Sequence, residues 1–327
     1  MAIVKSEIIL RKSAVVGDTD ANGGRMSKTA VVDKSRSGMF PHFTISERTS
    51  GKGRYRKFFY HVANSESLPL LDAFLSVARP TPAGDRVTIF AATWDDTQAD
   101  IPASPDHYGA ASLTATTAAG ASSLVVTLEN SAQVIFRQGE QIRIWDGEDV
   151  EDNQSGEIFT ADTVSKDGAS VTIGLSGTLS KEFAAGSPVC SLLACGDVEA
   201  LASVAAPETE YGEFDDTAVT LDSIGTIAQV VTLTFSSATA FAATSDVLGS
   251  LGTGNIAASC APINPDYARP YLTVPTSAWS GSWEAGDTVT ITTTPAAVPF
   301  WAELICPAGA SGDTNDAVTV RIEGGTA

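Results

Sequence analysis

The chain has 327 residues, enough for two or three domains, each with its own core. Hydrophobic residues make up 43 % and charged residues only 18 %, the difference going to small and β-branched types. That composition favours sheets over long surface helices, and with no run of 18 apolar residues it excludes a membrane-spanning helix.

The net charge is −19 and is unevenly divided. Residues 1–95 carry 14 Lys/Arg against 9 Asp/Glu, net +5, and the remainder carries 6 against 30, net −24. A basic segment on an acidic body suggests either nucleic-acid binding or self-assembly, in which a basic arm docks on an acidic face of the next copy. The acidic body would repel DNA, and the basic residues alternate with hydrophobes instead of forming a run. Self-assembly without specific nucleic-acid recognition is therefore the expectation.

In chain order, residues 3–10 read as a strand and residues 17–25 as a polar loop in which Asn22-Gly23-Gly24 supplies positive-φ positions. Residues 54–62 read as a strand with Tyr55, Phe59 and His61 on alternate positions, and 86–92 as another. Residues 68–78 suggest a short helix or an irregular buried segment. The polar stretch 96–106 reads as a linker. Beyond it, strands at 123–128, 141–145, 157–161, 170–175 and 188–193, punctuated by glycines, suggest a small barrel or sandwich. A second polar break at 207–216 precedes strands at 218–221, 228–235, 270–274, 287–293, 300–305 and 317–323. About seven strands in this stretch fit an immunoglobulin-like sandwich. The sequence is thus read as mainly β in three modules: a basic assembly module at 1–100, a barrel or sandwich at 101–206, and a sandwich at 207–327.

Motifs that carry chemistry are sparse. His42, His61 and His107 stand apart from any nucleophile or HExxH spacing, and Cys190, Cys195, Cys260 and Cys306 form no zinc pattern. Asp18-x-Asp20-x-Asn22-Gly23 resembles the opening of a calcium loop, but position twelve is Thr29, which favours a side-chain-stabilised turn. The acidic run 146–153, with Glu148, Asp149, Glu151 and Asp152, reads as a solvated hairpin loop or a weak calcium loop. The bare GxxGxG at 249–254 opens no helix, so phosphate binding is not expected. The basic–aromatic string 52–61 could stack on bases, or could form a strand with one apolar and one basic face at a subunit contact. No catalytic residue, metal or cofactor is predicted, and the chain is read as a non-enzyme. The candidate contact residues are Arg25, Arg48, Lys52, Arg54, Tyr55, Arg56 and Lys57. The candidate acidic surface or lumen residues are Glu148, Asp149, Glu151 and Asp152.

Several strings resemble a family of virion structural proteins of siphophages, including transposable Mu-like ones. They are Asp18-Thr19-Asp20-Ala21-Asn22-Gly23-Gly24-Arg25, Met39-Phe40-Pro41, Glu47-Arg48-Thr49 and Arg54-Tyr55-Arg56-Lys57-Phe58-Phe59 near one end. Near the other are Asn264-Pro265-Asp266-Tyr267, Trp283-Glu284-Ala285-Gly286-Asp287 and Pro307-Ala308-Gly309-Ala310. The resemblance implies a tail tube subunit that forms stacked, hexameric rings conducting DNA, with a tube-like β-barrel and no catalytic residues. Its partners would be further copies of itself and other tail proteins such as the tape measure and terminator. It would be located in the phage tail after synthesis in the host bacterial cytoplasm, a location consistent with a start, Met1-Ala2-Ile3-Val4-Lys5, unlike a signal peptide. A capsid decoration or cementing protein, or a tail-tip β-module binding a host receptor or carbohydrate, are the alternatives.

Overall fold

The computed structural model describes residues 2–146, 156–312 and 316–326, and nearly all of their regular structure is antiparallel strand. The candidate acidic residues Glu148, Asp149, Glu151 and Asp152 lie outside the described residues.

Both ends of the chain build the first sheet. Its five strands run in the order Gly23–Ala30, Ile8–Val15, Lys52–Val62, Ala297–Cys306, Arg86–Ala91. Ala297–Cys306 pairs along its whole length with Lys52–Val62, from Ala297 opposite His61 to Cys306 opposite Lys52. A three-stranded sheet, Leu193–Val198, Leu70–Val77, Val320–Thr326, shares a core with it. Phe58, Val62, Leu75, Val77 and Phe300, each at most 1 % exposed, fill that core. The sequence boundary at 207 groups residues 297–326 with the C-terminal module, whereas their strands pair with those of residues 52–91.

Residues 110–191 close into a six-stranded barrel, ordered Ser170–Leu175, Ser123–Thr127, Ala110–Leu113, Pro188–Ser191, Gln141–Trp145, Gly156–Asp167. Ser170–Leu175 shows why the sequence folds this way. Val171, Ile173 and Leu175 point inward at every second position, while Ser170 and Thr172 meet water. Phe183, Leu124, Ile142 and Ile144 complete a dry interior.

A second five-stranded sheet is ordered Leu201–Val204, Thr288–Thr294, Gln229–Phe235, Ala240–Ser245, Gly249–Asn255. Over it lies a ribbon of Gly212–Phe214 paired with Trp279–Gly281. Between them Phe235 stacks on Trp283 with ring centroids 4.6 Å apart, and Trp279 packs edge-on against both rings. Gly212 is required here, because a Cβ at that position would come within 2.7 Å of the Trp283 ring.

Several segments differ from the sequence expectation. Leu70–Val77 is a strand, not a helix or an irregular segment: flanking strands cover it on both edges, and Asp72 at φ 47° breaks the alternation with a bulge. Gly23–Ala30, of which residues 23–25 are expected to end a loop, is an edge strand entered at Gly23 with φ 112°. There a Cβ would meet the Trp301 ring and the Asp96 carbonyl at 2.8 Å. Residues 218–221 make only a 3-10 turn, Asp216–Ala218, and one bridge from Thr220 to Thr273. The GxxGxG segment is the edge strand Gly249–Asn255.

The shared core should make the two ends of the chain interdependent. Phe300→Ala should lower unfolding free energy by about 3–5 kcal/mol, whereas Val125→Ala on the barrel's outer face should change it by no more than about 0.5 kcal/mol. Urea titration of both variants checks this.

Candidate functional site

The candidate contact residues concentrate on one strand, and the structure turns three of them, Arg54, Arg56 and Lys57, inward. Lys52–Val62 is buried from Arg54 onward except at the half-buried Tyr55, so its buried cations need partners from the same chain. Arg54 and Arg56 lie on one face and Lys57 on the other, in place of the single basic face expected from the sequence.

Arg54, 7 % exposed, pairs with Glu47 at 2.6 Å and Asp18 at 3.2 Å, and its guanidinium sits 4.6 Å over the Phe43 ring. Glu47 is positioned by its own helix, Ile45–Ser50. Its carboxylate accepts from the Thr44 backbone N–H at 2.8 Å, closing a capping box, and this bond leads the causes that hold it below the usual carboxylate range. Arg56 reaches Asp18 at 2.7 Å and donates to the Gly17 carbonyl at 2.6 Å. Partial burial pushes the Asp18 carboxyl up, but the two guanidiniums outweigh it and the net shift is downward. The resemblance of 18–23 to a calcium loop resolves into this arrangement. Asn22, fully buried, donates to the Tyr55 carbonyl at 2.9 Å and the Gln98 side chain at 3.1 Å.

Lys57 is 1 % exposed and meets the Asp96 carboxylate at 2.5 Å. Burial lowers its pKa, with Asp96 opposing the shift. The other Asp96 oxygen accepts from the Trp301 indole at 2.7 Å, and the Asp96 backbone carbonyl accepts from Gly24 at 2.8 Å. One aspartate therefore ties three strands of the first sheet together. Tyr55 packs edge-on against Phe90, and its hydroxyl is pushed up to about 12 by burial and by a hydrogen bond to Glu303.

The remaining candidates lie outside the buried part of that strand, Arg25 on the edge strand Gly23–Ala30 and Arg48 on the helix Ile45–Ser50. Arg25 donates to the Ala228 carbonyl at 2.5 Å, anchoring the first sheet to the C-terminal module. Arg48 donates to the Ser311 carbonyl at 2.9 Å, and Lys52 is exposed at the strand's start. As a correction to the expected subunit contact, Arg54, Arg56 and Lys57 are engaged within the fold, and burial removes them from the surface.

Sequence reasoning placed His61 on a strand but did not identify its role. It is fully buried between the first sheet and the C-terminal module. Arg11 donates to its Nδ1 at 2.7 Å, so the proton resides on Nε2 and is donated to the Ser223 carbonyl at 2.7 Å. Arg11 in turn covers the Tyr267 ring at 5.1 Å. Burial, reinforced by Arg11 and opposed by the Ser223 bond, pushes the imidazole down to about 4. At the barrel junction, Trp145 is fully buried between the guanidiniums of Arg143 at 3.8 Å and Arg321 at 4.7 Å, both bonded to Glu323. The cysteines are unpaired, and burial pushes Cys190 up to about 11 and Cys195 up to about 12, which opposes thiolate chemistry. Among the described residues, no group of three or more His, Cys, Asp or Glu is placed to hold a metal ion, and no helix is long and apolar enough to cross a membrane.

These geometries yield two predictions. Asp96→Asn should cost about 3–5 kcal/mol, because Lys57 keeps a buried charge without its counter-ion. Combining it with Lys57→Met should recover most of the loss in denaturant unfolding, and failure to recover would contradict the pairing. For His61, the unfolded chain takes up a proton near pH 6.5 and the folded chain only near 4. Stability is therefore full above about 6.5 and falls as pH drops toward 4, by up to roughly 3 kcal/mol. His61→Gln should flatten that part of the pH–stability curve.

No protein family and no curated protein matches the sequence. Among solved structures, the chain aligns with the VP2 subviral particle of infectious bursal disease virus at 11 % identity, over 85 % of this chain and 82 % of that one. The TM-score is 0.12, and this likeness carries no argument.

Proposed function

We propose that the chain is a structural virion protein of a tailed bacteriophage that assembles with itself into the stacked rings of a tail tube. Of the supporting sequence strings, Arg54–Phe59 lies on the strand that pairs with Ala297–Cys306, so segments from both halves of the chain meet in one antiparallel sheet. The observation that carries the reading is the disposition of charge. The most concentrated basic stretch is neutralised inside the fold by Asp18, Glu47 and Asp96, which leaves a β-rich body with a net charge of −19. A conduit built from such bodies repels phosphates, so DNA can slide without sticking. Edges of the open sheets would be completed by neighbouring copies, which removes unpaired strand edges. The C-terminal sheet and its ribbon, packed in two layers over Phe235 and Trp283, support reading that module as an immunoglobulin-like decoration on the outside of the tube.

Negative-stain electron microscopy at rising protein concentration tests this. Hollow tubes or stacked rings with a central channel are expected. Particles that never stack but bind expanded capsids would replace the tail tube with a decoration protein.

A further inference from the structure

The C-terminal module, residues 201–294, has its own aromatic core, separate from the core beneath the first sheet. Polar contacts hold the joint between them. Ser223, fully buried, accepts from His61 through its carbonyl, and its amide donates to the Ser67 hydroxyl at 3.1 Å. Arg25 bonds the Ala228 carbonyl, Lys28 pairs with Asp266, and Arg11 covers the Tyr267 ring. A cavity of about 190 Å³ remains in the joint, between Phe59 and Trp94 on one side and Leu248, Tyr267 and Tyr271 on the other. The joint is therefore polar and incompletely packed.

The chain crosses this joint twice, and the two crossings adjoin. Residues 199–200 lead from Leu193–Val198 into Leu201–Val204, and residues 295–296 lead from Thr288–Thr294 into Ala297–Cys306. Leu201 pairs with Thr294, so the crossings lie side by side. No strand within residues 201–294 joins a sheet with a strand outside them, among the described residues. The module can rotate about this one line with every sheet intact.

His61 sits at that line, opposite Ala297. Both its nitrogens are engaged, Nδ1 accepting from Arg11 and Nε2 donating to Ser223. A second proton can go only to Nδ1, where it would face an N–H donor and a positive charge 2.7 Å away. The acids nearby are committed elsewhere. Asp222, on the facing turn, accepts from the Ile224 and Gly225 amides and lies 3.6 Å from Arg269, and Asp266 takes Lys28. Tyr267 presents a neutral ring 6.2 Å from the imidazole, and the neighbouring strands place only Ile9 and Ala297 opposite it. Two cations side by side in this setting need water. Rotation at the crossings would admit it by lifting Tyr267 and Ser223 away.

We propose that the joint is an acid-opened hinge: protonation of His61 against Arg11 turns the C-terminal module away from the first sheet about residues 199–200 and 295–296, while each module stays folded. The inference does not depend on the tail-tube reading. Exposed to water, His61 takes up its proton near 6.5, and in the closed joint only near 4. The open form therefore gains about tenfold per pH unit as pH falls from about 6.5 toward 4, and gains nothing above that window.

Hydrogen exchange read by mass spectrometry, from neutral pH to about pH 4.5 and corrected for intrinsic rates, tests this. Peptides covering Val62, whose amide bonds Ala296, and Ser223 should lose protection about tenfold per pH unit. Peptides covering the strands Ser170–Leu175 and Gln229–Phe235 should stay protected. His61→Gln, whose amide can accept from Arg11 and donate to Ser223 without taking up a proton, should keep the joint closed throughout. If circular dichroism shows that variant misfolded, Arg11→Gln makes the same test from the other side, since without the guanidinium the loss per pH unit should fall well below tenfold. Asp266→Asn should keep the full pH dependence. Equal loss of protection in His61→Gln, a full tenfold dependence in Arg11→Gln, or its disappearance in Asp266→Asn would assign the opening to other groups and overturn the hinge. So would protection unchanged down to pH 4.5, or one lost from all three modules together.

Discussion

The pairing of Lys57 with Asp96 is the constraint around which the first sheet is arranged. A lysine that is 1 % exposed cannot keep its charge in a protein interior without a close anion. Asp96 supplies that anion, and its remaining polar atoms bond Trp301 and Gly24. Gly23 must be glycine because a side chain there would strike the same tryptophan. Arg54 and Arg56 repeat the logic on the opposite face with Asp18 and Glu47. Ion pairs of this kind add little net stability over apolar substitutes, but a misregistered strand would strand three charges. They therefore act mainly by rejecting the wrong register of the Lys52–Val62 strand.

That register has long-range consequences. The same strand carries Phe58 and Tyr60 into the core, where both rings pack against Phe300, and carries His61 to the joint with the C-terminal module. His61 is neutral there and bonded at both nitrogens. Lys28 reaches Asp266 at 2.7 Å across the same joint, and Arg143, Arg321 and Glu323 clamp the barrel around Trp145. Each neighbouring module is thus fixed to the first sheet by polar contacts with defined geometry.

The β class and many strands were legible because their side chains alternate, as in 170–175 and 228–235. The two small-residue strands Ala240–Ser245 and Gly249–Asn255 were not, since alanine, serine and glycine give hardly any alternation in hydropathy. Leu70–Val77 lacked alternation for a different reason: its apolar residues follow one another and a bulge at Asp72 resets the pattern. The pairing of Ala297–Cys306 with Lys52–Val62 joins residues some 240 positions apart, for which single-sequence periodicity has no signal. The candidate cations were found by type but not by placement. Arg54-Tyr55-Arg56-Lys57 looks like a surface string until the acids at 18, 47 and 96 are seen converging on it, and nothing local announces that convergence.

The account turns on which cations face inward and which outward, and amine-reactive labelling followed by mass spectrometry reads that directly. In the dissociated protein, Lys57 should be protected while Lys52 reacts. On assembly, Lys57 should remain protected. Labelling of Lys57 at the rate of Lys52 in the dissociated chain, with protection only on assembly, would contradict the account and return the Lys52–Val62 strand to the subunit interface.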